Sequence, residues 1–91
     1  MPSESVIFVG NRRTMSYVLA AVMQFQRGVD RVVFKARGRA ISKAVDAAQI
    51  LVSRFLLDVK ILDIKIGSEK IETGDRERIV STIEIVLGRE H

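Results

Sequence analysis

Hydrophobic and polar positions recur with two different periods along the chain, and the switches between them mark the elements. Val6-Ile7-Phe8-Val9 is a short apolar run closed by Gly10, predicted as a buried strand. Helical spacing then runs from Thr14, a candidate cap, to Arg27, with Gly28 as the stop. Met15, Tyr17, Val18, Leu19, Val22, Met23 and Phe25 surround this helix almost completely, which predicts burial on more than one side and places both methionines in the core. Val29 to Ala36 returns to a two-residue period. Val32, Phe34 and Ala36 share one face; Arg31, Val33, Lys35 and Arg37 share the other. From Arg39 the period is helical again. Ile41, Ala44, Val45, Ala48, Leu51, Val52 and Phe55 form a stripe opposite Arg39, Ser42, Lys43, Asp46, Gln49 and Ser53. Alanines at 40, 44, 47 and 48 allow a neighbouring backbone to approach closely.

The remainder reads as two long strands. Leu62, Ile64 and Ile66 alternate with Asp63 and Lys65, while Ile79, Ile83, Ile85 and Leu87 alternate with Val80, Thr82, Glu84 and Val86. Val59 and Ile61 fall out of phase with Leu62 to Ile66, which predicts a bulge near Ile61. Gly74-Asp75 is the expected turn. Apolar alternation fades around that turn except at Ile71, so the hairpin should project beyond the core as a polar arm. The order β-α-β-α-β-β predicts an α/β (α+β) two-layer sandwich in one domain, residues 1–91, without repeats or linkers.

Composition sharpens this outline. A chain of 91 residues hides only about 60–65% of its unfolded surface, so self-association is a natural supplement. The longest unbroken apolar run, Tyr17 to Met23, is far short of the about 20 residues that span a bilayer as a helix, and Met1-Pro2-Ser3-Glu4 has no secretory layout. A soluble protein with no membrane partner is expected. Cysteine is absent, which removes disulfides and thiolate metal sites. The net charge of +4 is uneven: residues 1–54 carry nine cations against three acids, net +6, and residues 55–91 carry six against eight, net −2. That asymmetry points to an acidic partner for the first part.

The cations have a definite place. "KARGRAISKAVD" sets Lys35, Arg37, Arg39 and Lys43 where a strand turns into a helix, and "GNRRT" sets Arg12 and Arg13 at the preceding strand-helix turn. If the two strands pair in parallel through a right-handed crossover, both turns emerge at one sheet edge. The arginines then converge beside two helix starts, whose unpaired amides favour anions. Cations there are unfavourable for the isolated helix by about 0.3–1 kcal/mol each, a cost that a bound phosphate would offset. No G-x-x-x-x-G-K-[ST] cradle is present for a nucleotide. GXXG clamps are likewise missing, and the few aromatic residues lie mostly on apolar faces, so base stacking is not expected. Guanidinium and ammonium groups alone suit the sugar-phosphate backbone, indifferent to base sequence.

Catalysis is not expected. The single histidine is His91, Tyr17 lies on an apolar helix, and no serine or threonine has an evident base partner. Asp63, Glu69, Glu72 and Asp75 meet no metal-ligand spacing, and no cofactor is implied.

"KARGRAISKAVDAAQ" resembles the most recognisable segment of the Alba family of archaeal chromatin proteins. The glycine and basic loop ahead of "MSYVLAAV", together with "GSEKI" and "VSTIEIVL", extends the similarity from about Val6 to Leu87. The resemblance implies a fold similar to the C-terminal domain of a translation initiation factor. It also implies a homodimer that coats or compacts double-stranded DNA without marked sequence preference, binds RNA too, and is cytoplasmic and chromosome-associated. A role as the RNA-binding subunit of a ribonucleoprotein particle is the alternative. Arg12 stands in the family's basic first loop, and Lys35, Arg37, Arg39 and Lys43 match its basic strand-helix segment. The 68–78 arm, with Lys70, Arg76 and Arg78, matches the hairpin that reaches along a minor groove. Arg54 and Phe55 match the contact through which dimers pack into arrays on DNA. Many members carry two lysines after the glycine, the first subject to acetylation; Asn11 and Arg12 replace them here. Other readings stand beside these: Lys43 pairing with Asp46, Phe55 as core or intra-dimer packing, and the arm as a solvated, self-paired hairpin.

Overall fold

The computed structural model of the protein describes residues 3–89. The elements follow in the order β1 (Glu4–Phe8), α1 (Thr14–Gln26), β2 (Arg31–Arg37), α2 (Ala40–Ile50), a π-helical turn (Leu51–Phe55), β3 (Val59–Thr73) and β4 (Arg76–Arg89). They form a four-stranded mixed sheet in the order β1-β2-β4-β3, with β1 and β2 parallel and the other pairs antiparallel. Both helices lie on one face. Val32, Phe34 and Ala36 on β2 and Ile83, Ile85 and Leu87 on β4 supply the sheet side of the core. The α1 side chains Tyr17, Val18, Ala21 and Phe25, and Ala44, Ala47, Ala48 and Leu51 of α2 and its terminal turn, supply the helical side. The small residues permit the close helix approach anticipated for the alanine-rich stretch.

Several expectations need correction. β1 is an edge strand, not a buried one: Val6 and Phe8 face away from the helices and are exposed, whereas Ile7 packs against the core. Thr14 is the first helical residue, and the cap position falls to Arg13, which makes no side-chain capping bond. Gly28 does end the helix, at φ 97°. Met15 and Met23, expected in the core, are 40% and 52% exposed, because a single sheet covers only one side of α1. Val45 is likewise exposed, and Ala47 takes a core place instead. Helix α2 widens into the π-helical turn, where the Leu56 amide donates to the Leu51 carbonyl five residues back at 2.9 Å.

The register of β3 shifts between Ile61 and Asp63, as the phase slip predicted. The bulge returns Ile64 and Ile66 to the helix-facing side, in line with Ile61, and leaves Leu62 over Gly88. Gly88 has no room for a side chain, since a Cβ there would lie 2.8 Å from the Leu62 Cδ1 and 3.0 Å from the Asp30 carbonyl oxygen. At the hairpin tip Thr73 pairs with Arg76 around Gly74, which takes φ 61°. Near the far end, Arg89 donates to the Asp58 carboxylate, and this hydrogen bond holds the Asp58 carboxyl below its ordinary range.

Candidate nucleic-acid interface

Parallel pairing of β1 with β2 sends both strand-helix loops out at the same sheet edge. Backbone bonds fix each loop. The Val9 amide donates to the Lys35 carbonyl at 2.8 Å, carrying the β1–β2 ladder to the mouth of the first loop. The Gly38 amide donates to the Ser81 carbonyl at 2.9 Å, pinning the second loop to β4. Gly38 adopts φ 59°, a left-handed turn that glycine enters without cost, and a Cβ there would approach Val80 Cγ1 at 3.4 Å.

Two side chains clamp the first loop, one at its amides and one at its carbonyls. The Tyr17 hydroxyl accepts hydrogen bonds from the Gly10 and Arg12 amides at 2.8 and 3.0 Å. The Lys43 ammonium donates to the Arg12 carbonyl at 2.6 Å and more weakly to the Gly10 carbonyl at 3.4 Å. Lys43 stands in the first turn of α2, so it joins the second strand-helix unit to the loop of the first. Its partner is this loop, not Asp46. Neither role was visible in the sequence, although a tyrosine in an apolar helix commonly carries its hydroxyl to a polar partner.

The expected cations divide into two groups. Arg12, Arg13, Arg39, Arg76 and Arg78 make no ion pair among the described residues. Arg13 and Arg39 hold the cap positions of α1 and α2, and neither helix has an acid in its first turn. The side chain at the cap position satisfies neither helix start. Lys35 pairs with Glu84 at 3.2 Å, Arg37 with Glu69 at 3.1 Å and Lys70 with Glu77 at 3.1 Å. Exposed pairs of this kind contribute about 0–1 kcal/mol, so a phosphate can displace the carboxylate.

The base of the arm joins the same region: Gly38, Arg39, Arg78 and Val80 line one shallow groove. By register Arg76 and Arg78 share the helix-free face with Arg37, while Lys70 lies on the opposite face beside Ile79. Arg54 and Phe55 are exposed and sit at the other end of α2. The eleven residues of α2 alone separate them from the loops by about 16 Å. The sheet edge therefore gathers Arg12, Arg13, Lys35, Arg37, Arg39 and Arg78, and leaves Arg54 and Phe55 apart. Three of the five aromatic residues, Tyr17, Phe25 and Phe34, are buried as expected, but Phe8 is not. Phe8 lies on the helix-free face, 75% exposed, in a cleft it shares with Lys35 and Arg37.

The sequence pattern of the family described as Alba matches residues 5–68. The chain belongs to the Alba family. It is 54% identical over 90 residues to the "DNA/RNA-binding protein Alba" of Methanocella arvoryzae, covering 98% of this chain and 94% of that one. A relative of the same name in Methanothrix thermoacetophila is 54% identical over 89 residues, covering 98% of this chain and all of the other (100%). Among solved structures, Alba from Thermoplasma volcanium superposes with a TM-score of 0.89 at 44% identity, covering 93% of this chain and 100% of that one. Tyr17, Lys43 and the arginine loops described above thus belong to an Alba fold.

Proposed function

We propose that this Alba-family chain is a single nucleic-acid-binding domain that binds double-stranded DNA through its sugar-phosphate backbone, and binds RNA through the same cations. The observation that carries the reading is the meeting of two arginine-bearing loops at one sheet edge, with Lys43 bonded across them. Relatives named for DNA and RNA binding support it. Arg12, Arg13, Arg37 and Arg39 grip phosphates there, Lys35 adds charge when it leaves Glu84, and the arm brings Arg76, Arg78 and Lys70 to a neighbouring stretch of groove. Lys43 spends hydrogen bonds on the loop backbone and shapes the site from within. Nothing in this set reads a base-pair edge by geometry, so affinity without sequence preference follows.

The chain works as a homodimer in this reading. The two helices leave the helix-side face of β3 uncovered, with Ile66 83% exposed, Ile79 of the arm 78% exposed, and Ile64 and Leu57 also exposed. Burial of each such side chain by a second copy contributes about 1.5–3 kcal/mol. Arg54 and Phe55, at the far end of α2, then meet neighbouring dimers as they coat the chromosome. Replacing Phe55 with Ala leaves dimers intact and weakens cooperative coating; dissociation to monomers instead places Phe55 inside the dimer.

Titration of random-sequence duplexes across a salt series tests the function. Each neutralised phosphate lowers log K by about 0.9 per log unit of salt, so about 6–8 contacts per dimer give a slope of about −5 to −7. A salt-independent affinity, or strong preference for one duplex sequence, rejects backbone binding.

A further inference from the structure

We propose that the helix-free sheet face beside the basic loops holds a second site, a cleft that stacks one unpaired base of a single-stranded nucleic acid on Phe8. The proposal deepens the nucleic-acid reading and rests on it. Phe8 is the most exposed of the described aromatic residues, at the end of an edge strand and directly across from Lys35 in the β1–β2 register. It lines a cleft of about 600 Å³ with Lys35, Arg37, Glu69, Thr82 and Glu84. That volume lies within the ordinary range for small-ligand sites.

Charge decides what the cleft takes. Lys35 is paired with Glu84 and Arg37 with Glu69, so cations and carboxylates balance inside it. Inside the cleft a phosphate must first displace these acids, whereas Arg12, Arg13 and Arg39 have no ion-pair partner among the described residues and take a phosphate outside it directly. A nucleobase is neutral, offers a π face to an aromatic ring, and presents N–H donors that carboxylates accept and acceptors that a lysine or the Thr82 hydroxyl can reach. Paired bases in a duplex keep their faces covered by stacking, so only an unpaired base can use Phe8. Its own phosphates would then run toward the Gly10–Arg13 loop, which begins two residues after Phe8.

The test compares the full chain with Phe8→Ala and Phe8→Tyr in binding a short single-stranded RNA that carries one fluorescent adenine analogue, and in binding a random duplex DNA. Stacking predicts fluorescence quenching with the unaltered chain, a loss of about 5- to 150-fold in single-strand affinity for Phe8→Ala, and retention for Phe8→Tyr. Duplex affinity should change by less than about twofold, since the backbone cations remain. Equal losses for both polymers, no loss for either, or a shift from dimer to monomer in sedimentation overturns the proposal. Failure of the unaltered chain to bind either polymer would instead defeat the underlying nucleic-acid reading.

Discussion

The Lys43 ammonium donates to the Arg12 carbonyl at 2.6 Å, across 31 positions of sequence. This bond ties the first turn of α2 to the loop after β1, and makes the two arginine turns one structural unit. With the Tyr17 hydroxyl holding the Gly10 and Arg12 amides, the loop is fixed by its donors and its acceptors alike. Preorganisation of this kind lowers the ordering cost that binding must otherwise meet.

Replacing Lys43 with Met keeps the stem and deletes the donors. Loss of a hydrogen bond contributes about 1 kcal/mol, so duplex affinity should fall about 3- to 10-fold. The salt slope should move by clearly less than the about 1.8 expected when each subunit of the dimer loses one phosphate contact. A change of that full size would place Lys43 on phosphate. Faster hydrogen exchange at the Gly10 and Arg12 amides should accompany the loss, as the loop loosens.

The bare side of β3 gives a prediction about assembly. Ile66→Asp puts a charge on the uncovered apolar face, on the side of the sheet opposite Arg37. Sedimentation should show monomers where the unaltered chain gives dimers, and a monomer should show about half the salt slope because it offers one copy of the site. A dimer that persists would assign the interface to another face.

Gly88→Ala tests the β-sheet packing. Its Cβ would fall 2.8 Å from Leu62 and 3.0 Å from the Asp30 carbonyl oxygen, and backbone cannot step aside as a flexible side chain can. Overpacking of this type costs about 1–3 kcal/mol, measurable by urea unfolding. Unchanged stability would mean that the Asp30 turn yields freely.

The fold was legible where a local signal is unambiguous. The out-of-phase Val59 and Ile61 announced the bulge, Gly74-Asp75 announced the turn, and the two-residue alternation of Val32, Phe34 and Ala36 marked the core face. Helical stretches were legible as elements but not as burial. An apolar surface all round α1 looks the same whether its second side meets a layer of the same chain or is left exposed, so Met15 and Met23 were misplaced. The same limit hid Phe8: four apolar residues in a row read as a buried strand, and only strand order reveals an edge with one bare face. At the site, residue type and loop position located the arginines. The clamps by Tyr17 and Lys43 depend on where chain-distant carbonyls and amides come to rest, which composition and period do not encode.

Salt-dependent titration of duplex DNA by Arg12→Ala, Arg37→Ala and the double variant bears most directly on the convergence of the two loops. Each single change removes one contact in each subunit and should flatten the dimer's slope by about 1.8, and the double change by about 3.6, with affinity for different duplex sequences falling alike. A slope that stays at its original value in the double variant would contradict a shared phosphate-binding edge.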